Sequence, residues 1–332
     1  MATMGRLRRG PRHEDAEGAG RPNARSWIGF NVLVLSVLAL AMTGCSIRRL
    51  AVNKLGDALA GGGTSFASDD DPDLVKDAAP FSLKLMESLL AESPQHLGLR
   101  LASASGFTQY AYAFVHEAAD EIEDRDLAAA TALRARARRL YLRARSHGLR
   151  GLEISHPGFE QALRAAPKTA VARLKRQDVP LVYWTTAAWG AAIGLSKDNP
   201  DLVAEVPIAE ALLDRAFELQ PDYGNGAIHS FLITYEMSRQ GAKGDPAARA
   251  RHHFDQAVEL SHGQQAAPFV SLAEAVCVQK QQVKEFEAVL GRALAINPDA
   301  HPETRLLNLV MQRRARWLLS RKEDLFLLEP AK

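Results

Sequence analysis

Ten histidines are this chain's main stock of metal-ligating and acid–base side chains. His252 and His253 adjoin, but no H-E-x-x-H, no Cys/His cluster and no spaced set of carboxylates accompanies them, so no metal is expected. His156 and His262 fall at expected helix ends, where an imidazole caps carbonyls. The sequences G-L-S and Y-G-N-G lack the strand–turn–helix frame of a nucleophile elbow, and no G-x-x-x-x-G-K phosphate loop occurs. Cys277, in L-A-E-A-V-C-V, reads as a buried, unreactive thiol. Catalysis finds no support in these residues, and no cofactor is implied.

Binding chemistry is better represented. The stretch V-P-L-V-Y-W-T-T-A-A-W-G-A-A-I-G sets Tyr183, Trp184 and Trp189 among small side chains. Tyr and Trp combine large apolar area with a polar tip, which suits a groove or a partner surface, and they serve equally well as core. In G-A-I-H-S-F-L-I-T-Y-E, His229, Ile233 and Glu236 recur at helical spacing with Tyr235 beside them. That polar face either lines a binding surface or makes a hydrogen bond between helices. Glu274, inside V-S-L-A-E-A-V, is an acid in an apolar helix and needs a partner if buried.

The elements that position these residues are helices. From Pro72 onward nearly every segment has helical period, and hairpin dipeptides between alternating strands are absent. P-F-S-L-K-L-M-E-S-L-L predicts a helix with Pro80 in its first turn and Leu83, Met86, Leu89 and Leu90 on one face. Four helices share the frame A-x-x-x-[aromatic or Leu]-x-x-A-[apolar]: Ala137/Tyr141/Ala144, Ala209/Leu213/Ala216/Phe217, Ala250/Phe254/Ala257/Val258 and, opening on Phe286, Leu290/Ala293/Leu294. The frame resembles the second helix of a tetratricopeptide repeat (TPR), at irregular spacing. The fold expected is all-α, an irregular TPR-like α-solenoid of helix hairpins. The last long helix reads as a cap, with Leu306, Leu309, Val310 and Trp317 inward and Arg313, Arg314 and Arg316 toward solvent.

Residues 26–46, S-W-I-G-F-N-V-L-V-L-S-V-L-A-L-A-M-T-G-C-S, form an apolar run preceded by Arg21 and Arg25, as in a secretory signal. The run is short for a bilayer-spanning helix. Its T-G-C-S end resembles a bacterial lipobox, which makes Cys45 the lipid attachment site and residues 1–44 the signal peptide. Residues 45–71 then form the lipidated N-terminus and a flexible Gly-rich tether, and 72–328 the helical domain. Ser46, where Asp would resemble an inner-membrane retention signal, favours the outer membrane with the body facing the periplasm. Acyl chains hold such a protein to the membrane. With the leader's six bases and three acids removed, 35 bases face 36 acids, which gives no electrostatic footprint for nucleic acid.

Several segments, in order, carry a family resemblance: G-F-T-Q-Y-A-Y-A-F-V, V-Y-W-T-T-A-A-W-G, Q-P-D-Y-G-N-G-A-I-H-S-F-L, H-H-F-D-Q-A-V-E-L-S, P-F-V-S-L-A-E-A-V and R-R-A-R-W-L-L-S-R-K-E-D-L-F. Over roughly residues 38–328 the chain resembles the T component associated with tripartite ATP-independent periplasmic (TRAP) transporters, the TatT family. The resemblance implies a non-enzymatic TPR-like lipoprotein that can form a homotrimer. It also implies a groove or pore for a small hydrophobic ligand, and as partner the TRAP solute-binding P protein. Tyr183, Trp184, Trp189, His229, Tyr235, Glu236 and Glu274 are the candidates for a ligand or partner groove. The alternative reading is an outer-membrane TPR scaffold for envelope assembly, without a ligand of its own.

Overall fold

The computed structural model of the chain describes residues 52–61 and 63–327. The expected signal peptide and Cys45 lie outside the described residues. Within them the fold is all-α, with helices packed in hairpins and no strand. Residues 52–61 are helical, and α1 (Gly63–Ala67) follows. Within 45–71, whose first part reads in sequence as a short helix, these described residues are helical, and Arg305 donates from Nη1 to the Ser68 carbonyl at 2.8 Å.

α2 (Pro72–Glu92) starts at Asp71, whose carboxylate accepts from the Asp73 and Leu74 amides, with Pro72 in the first turn. Pro80 is thus interior, which corrects the expected start by two turns. The Asp71 cap and Pro72 already supply the stronger start signal, and Pro80 removes only one intrahelical bond. α3 (Leu97–Ala111) passes through a π turn, Tyr112–His116, into α4 (Glu117–Ile122). α5 (Leu127–Ser155) is capped by Asp126 and ends before Gly158, which holds φ 76°.

Further along come α6 (Phe159–Ala165), α7 (Pro167–Val171), α8 (Val179–Gly194), α9 (Pro200–Val203), α10 (Val206–Leu219) and α11 (Ala227–Glu236). Then follow α12 (Pro246–Leu260) and α13 (Ala267–Leu272), the latter entering a second π turn, Ala273–Cys277. The chain ends with α14 (Val283–Ala295), α15 (Arg305–Ser320) and α16 (Lys322–Leu325).

Neighbours in sequence are neighbours in space. α3 packs along α5, α5 along α8, and α8 along α10; α11 pairs with α12, α13 with α14, and α14 with α15. The small residues of the repeated frame make these approaches possible. Ala137, Ala144, Ala216, Ala250, Ala257 and Ala293 are all fully buried, as are Tyr141, Phe286 and Leu290. Gly148 lets α5 meet α8, since a Cβ there would overlap Thr185. Gly226 starts α11 at φ 94°, with Ala257 Cα 3.0 Å from where a Cβ would stand, so both conformation and space demand glycine.

The last long helix packs back against the first helices of the described body. α15 touches α2, Arg313 and Arg314 pair with Glu121 and Asp120 of α4, and Arg321 pairs with Asp124. Arg314 is therefore not solvent-facing: its side chain is 12% exposed, because carboxylates from two other elements converge on it.

Candidate functional site

The seven candidate residues separate into three places. Tyr183 and Trp184 sit partly exposed on α8 and meet Tyr223, in the 3-10 turn before α11. The Tyr183 ring lies 5.1 Å from Trp184 and 5.2 Å from Tyr223, in tilted or edge-on geometry. Burial, with Tyr223 beside it, pushes the Tyr183 hydroxyl well above its ordinary range. Along the same flank, Gly190 lies against Phe231: a Cβ at Gly190 would be 3.1 Å from the Phe231 ring. Phe231 in turn lies 6.3 Å from Tyr235, and Arg239 sits over the Tyr235 ring at 5.7 Å. α8, the turn before α11, and α11 thus present a strip of aromatic side chains that are apolar in body and polar at their tips.

Trp189 does not join this strip. It is fully buried, donates from Nε1 to Glu205 Oε2 at 2.8 Å, and carries Arg145 over its ring at 4.7 Å. Five residues after Trp184, it projects from a different side of α8. Burial would raise the Glu205 carboxyl, but Arg164, Arg145 and Trp189 together bring it below its ordinary range. Trp189 is a core residue with its polar atom satisfied.

His229 and Glu236 form the second place, between α11 and α12. His229 Nδ1 and His253 Nδ1 are 2.9 Å apart, so one donates and the other accepts. Burial lowers both imidazoles, His253 to about 4, which keeps the pair neutral at neutral pH. Glu236 is 3% exposed and pairs with Arg239 at 3.1 Å and with Arg249. Burial pushes its carboxyl up, and the two guanidiniums outweigh it and hold the group ionised. The polar face of α11 is thus spent on bonds between helices. An open hollow of about 390 Å³, lined by Asp245, Arg249, His252 and His253, adjoins it. Among the described residues no group of three or more His, Cys, Asp or Glu side chains could hold a metal ion.

Glu274 belongs to the third place, a charge cluster where the two π turns meet α15. Arg314 reaches Glu274 at 2.7 Å and Asp120 at 3.0 Å, and stacks over Trp317 at 4.2 Å. Asp120 also accepts from Arg134 at 2.8 Å. Tyr112 and His116 come from the first π turn, and a 3.3 Å hydrogen bond joins His116 to Tyr141. Each π turn inserts an extra residue and re-aims the side chains that follow, a distortion common at functional positions.

Glu117 completes the cluster and had no sequence candidate beside it. It is 3% exposed, and neither carboxyl oxygen has a hydrogen-bond partner; Arg314 Nη1 is likewise unpartnered. Burial raises Glu117 to about 8 against the opposing pull of Arg314 and of the nearby Tyr112 hydroxyl, with Glu274 and Glu121 adding to the rise. Glu274 is also raised by burial, again opposed by Arg314. Arg314 itself stays charged: burial works against it, but Glu274, Tyr112 and Asp120 outweigh that. An acid in the run F-V-H-E-A-A is the one sequence signal that could have drawn attention to Glu117. Cys277, at the end of the second π turn, is buried with its thiol pushed up to about 12.

Fold and site define an all-α, helix-hairpin protein that presents a strip of aromatic side chains and closes its ends through ion pairs. The chain belongs to the TRAP transporter T-component family, whose model matches residues 68–326. It is a transporter-associated component, and the family is not a known enzyme family. A relative from Treponema pallidum (strain Nichols), described as an uncharacterized protein, is 31% identical over 306 residues, covering 87% of this chain and 95% of its own.

Proposed function

We propose that this protein is a lipid-anchored, periplasm-facing component of a TRAP transport system that docks the solute-binding P protein and holds a small hydrophobic ligand. The lipobox-like T-G-C-S end of the leader supports an anchor at Cys45, with Ser46 favouring the outer membrane. Family membership supports the association with transport. The T-component resemblance extends the reading to a homotrimer.

The observation that carries the binding role is the partly exposed strip of Tyr183, Trp184, Tyr223, Phe231 and Tyr235. Tyr183, Tyr223, Phe231 and Tyr235 rest on the apolar core beneath them, Trp184 lies against Tyr183, and all five keep part of their surface open. Large, stiff aromatic groups gain contact area at low entropic cost, which is why they dominate binding hot spots. Native mass spectrometry of the protein purified from its own envelope tests the reading. An apolar adduct that is lost in Trp184→Ala, together with a co-purifying solute-binding protein, is the expected result. A protein carrying neither adduct nor partner contradicts it.

A further inference from the structure

The longest helix, α5, has an unusual charge pattern for a chain whose body is nearly neutral. Between Leu127 and Leu152 it contains seven arginines, no lysine and no acid. At 100° per residue these arginines fall into two stripes.

The inward stripe holds Arg134, Arg138 and Arg145, within an arc of about 40°. Arg134 takes Asp120 and Glu123 of the α4 region, and Arg145 takes Glu205, which precedes α10. The outward stripe holds Arg136, Arg139, Arg143 and Arg150, within an arc of about 60° and over roughly 21 Å of helix. Arg143 pairs with Glu87 of α2. Arg136 lies over the Tyr110 ring at 5.9 Å and donates from Nη2 to the Tyr110 hydroxyl at 3.4 Å. Arg136, Arg139 and Arg150 are exposed and have no carboxylate partner among the described residues.

We infer that the outward stripe of α5, Arg136, Arg139 and Arg150, is the surface that docks an acidic face of the solute-binding protein. The inference rests on the docking role proposed above and names the face that performs it. Charge complementarity carries it. Arg134, Arg143 and Arg145 of this helix already capture carboxylates from other elements, and Arg136, Arg139 and Arg150 offer the same chemistry with no carboxylate partner among the described residues. Exclusive use of arginine favours a protein over a lipid surface, because the planar fork matches carboxylates bidentately and is favoured at protein interfaces, whereas lysine serves equally well as a point charge toward lipid. A stripe of one sign also steers a partner of opposite sign and raises the association rate.

The test is a titration of the full mature protein, lipidated and in detergent, with the purified TRAP solute-binding protein of the same organism at 50 and 300 mM salt. Arg136→Glu/Arg139→Glu/Arg150→Glu and the milder Arg136→Gln/Arg139→Gln/Arg150→Gln are compared with the wild type. None of the three has a carboxylate partner among the described residues, and Arg136 gives up only its contact with Tyr110, so the melting temperature changes little. Affinity is expected to fall at least 30-fold with the glutamates and about tenfold with the glutamines, with loss of most of the salt dependence. Equal binding by wild type and both variants overturns the face while leaving the docking role intact. A wild type that binds no solute-binding protein overturns the docking role, and the face with it. Arginine-dependent binding to vesicles containing phosphatidylglycerol, without binding to the protein, shows a membrane-facing stripe and also overturns the inference.

Discussion

Replacing Glu117 with glutamine keeps the shape of a buried side chain and removes its proton equilibrium. The carboxyl is raised from 4.5 to about 8, so its ionised form is disfavoured in the fold. That rise corresponds to on the order of 5 kcal/mol between neutral and ionised forms. The sign follows from where each state holds the proton. The unfolded chain releases it as pH rises through 4.5, and the folded chain keeps it until about 8. Stability therefore falls with rising pH across that window and is level above it. Glu117→Gln removes this slope, so the variant gains on the wild type by about 2–5 kcal/mol between pH 4.5 and pH 8.5, after allowing for local relaxation. At roughly 2 °C per kcal/mol the gap in melting temperature widens by about 4–10 °C. Thermal melts followed by far-ultraviolet circular dichroism at half-unit pH steps measure it. A gap that stays constant or narrows over the same range would mean that Glu117 is ionised in the fold at neutral pH and paired with Arg314, refuting the reasoning.

Other outcomes follow from the same geometry. Trp189→Ala costs about 3–5 kcal/mol of stability, because the indole is fully buried and its loss removes one of three donors to Glu205 and the ring beneath Arg145; Trp184→Ala, partly exposed, leaves the melt nearly unchanged and weakens ligand or partner binding by about 2 kcal/mol. Paired melts and titrations separate the two, and equal destabilisation would remove Trp184 from the binding strip. Gly226→Ala destabilises by at least about 1 kcal/mol, since φ is 94° and the Ala257 backbone stands against the new methyl; an unchanged denaturant midpoint would show that the turn before α11 relaxes freely. Cys45→Ala leaves an unprocessed precursor without metabolic incorporation of labelled palmitate, and label on the variant would exclude the lipoprotein reading.

Local pattern was the legible part of this fold. Buried alanines and aromatics of the repeated frame, from Ala137 and Tyr141 to Leu290 and Ala293, mark core faces by spacing alone, because the helical period places them on one side. Leu83, Met86, Leu89 and Leu90 are buried as that period requires, although their helix starts eight residues before Pro80. The candidate site was legible only as residue types. Trp189 and Trp184 look alike in sequence, and only the position of Glu205 and Arg145 makes one of them core. His229 and Glu236 were read as either a binding face or a bond between helices; His253, Arg239 and Arg249 decide for the bond. The Glu117–Glu274–Arg314 cluster joins segments from opposite ends of the body, and the two π turns that shape it have no local code. Glu274 was legible as an acid needing a partner, whereas Arg314 looked like one more solvated base.

The central claim is that this T-component engages a TRAP solute-binding protein. Photocrosslinking in living cells, with a photoreactive residue at Arg139 or at Trp184, tests it most directly, since it needs neither purification nor an identified ligand. The account predicts an adduct containing the solute-binding protein of a TRAP transporter, strongest from Arg139 and absent when that protein is deleted. Adducts confined to envelope-assembly proteins, with the solute-binding protein present and uncaptured from either position, would contradict it.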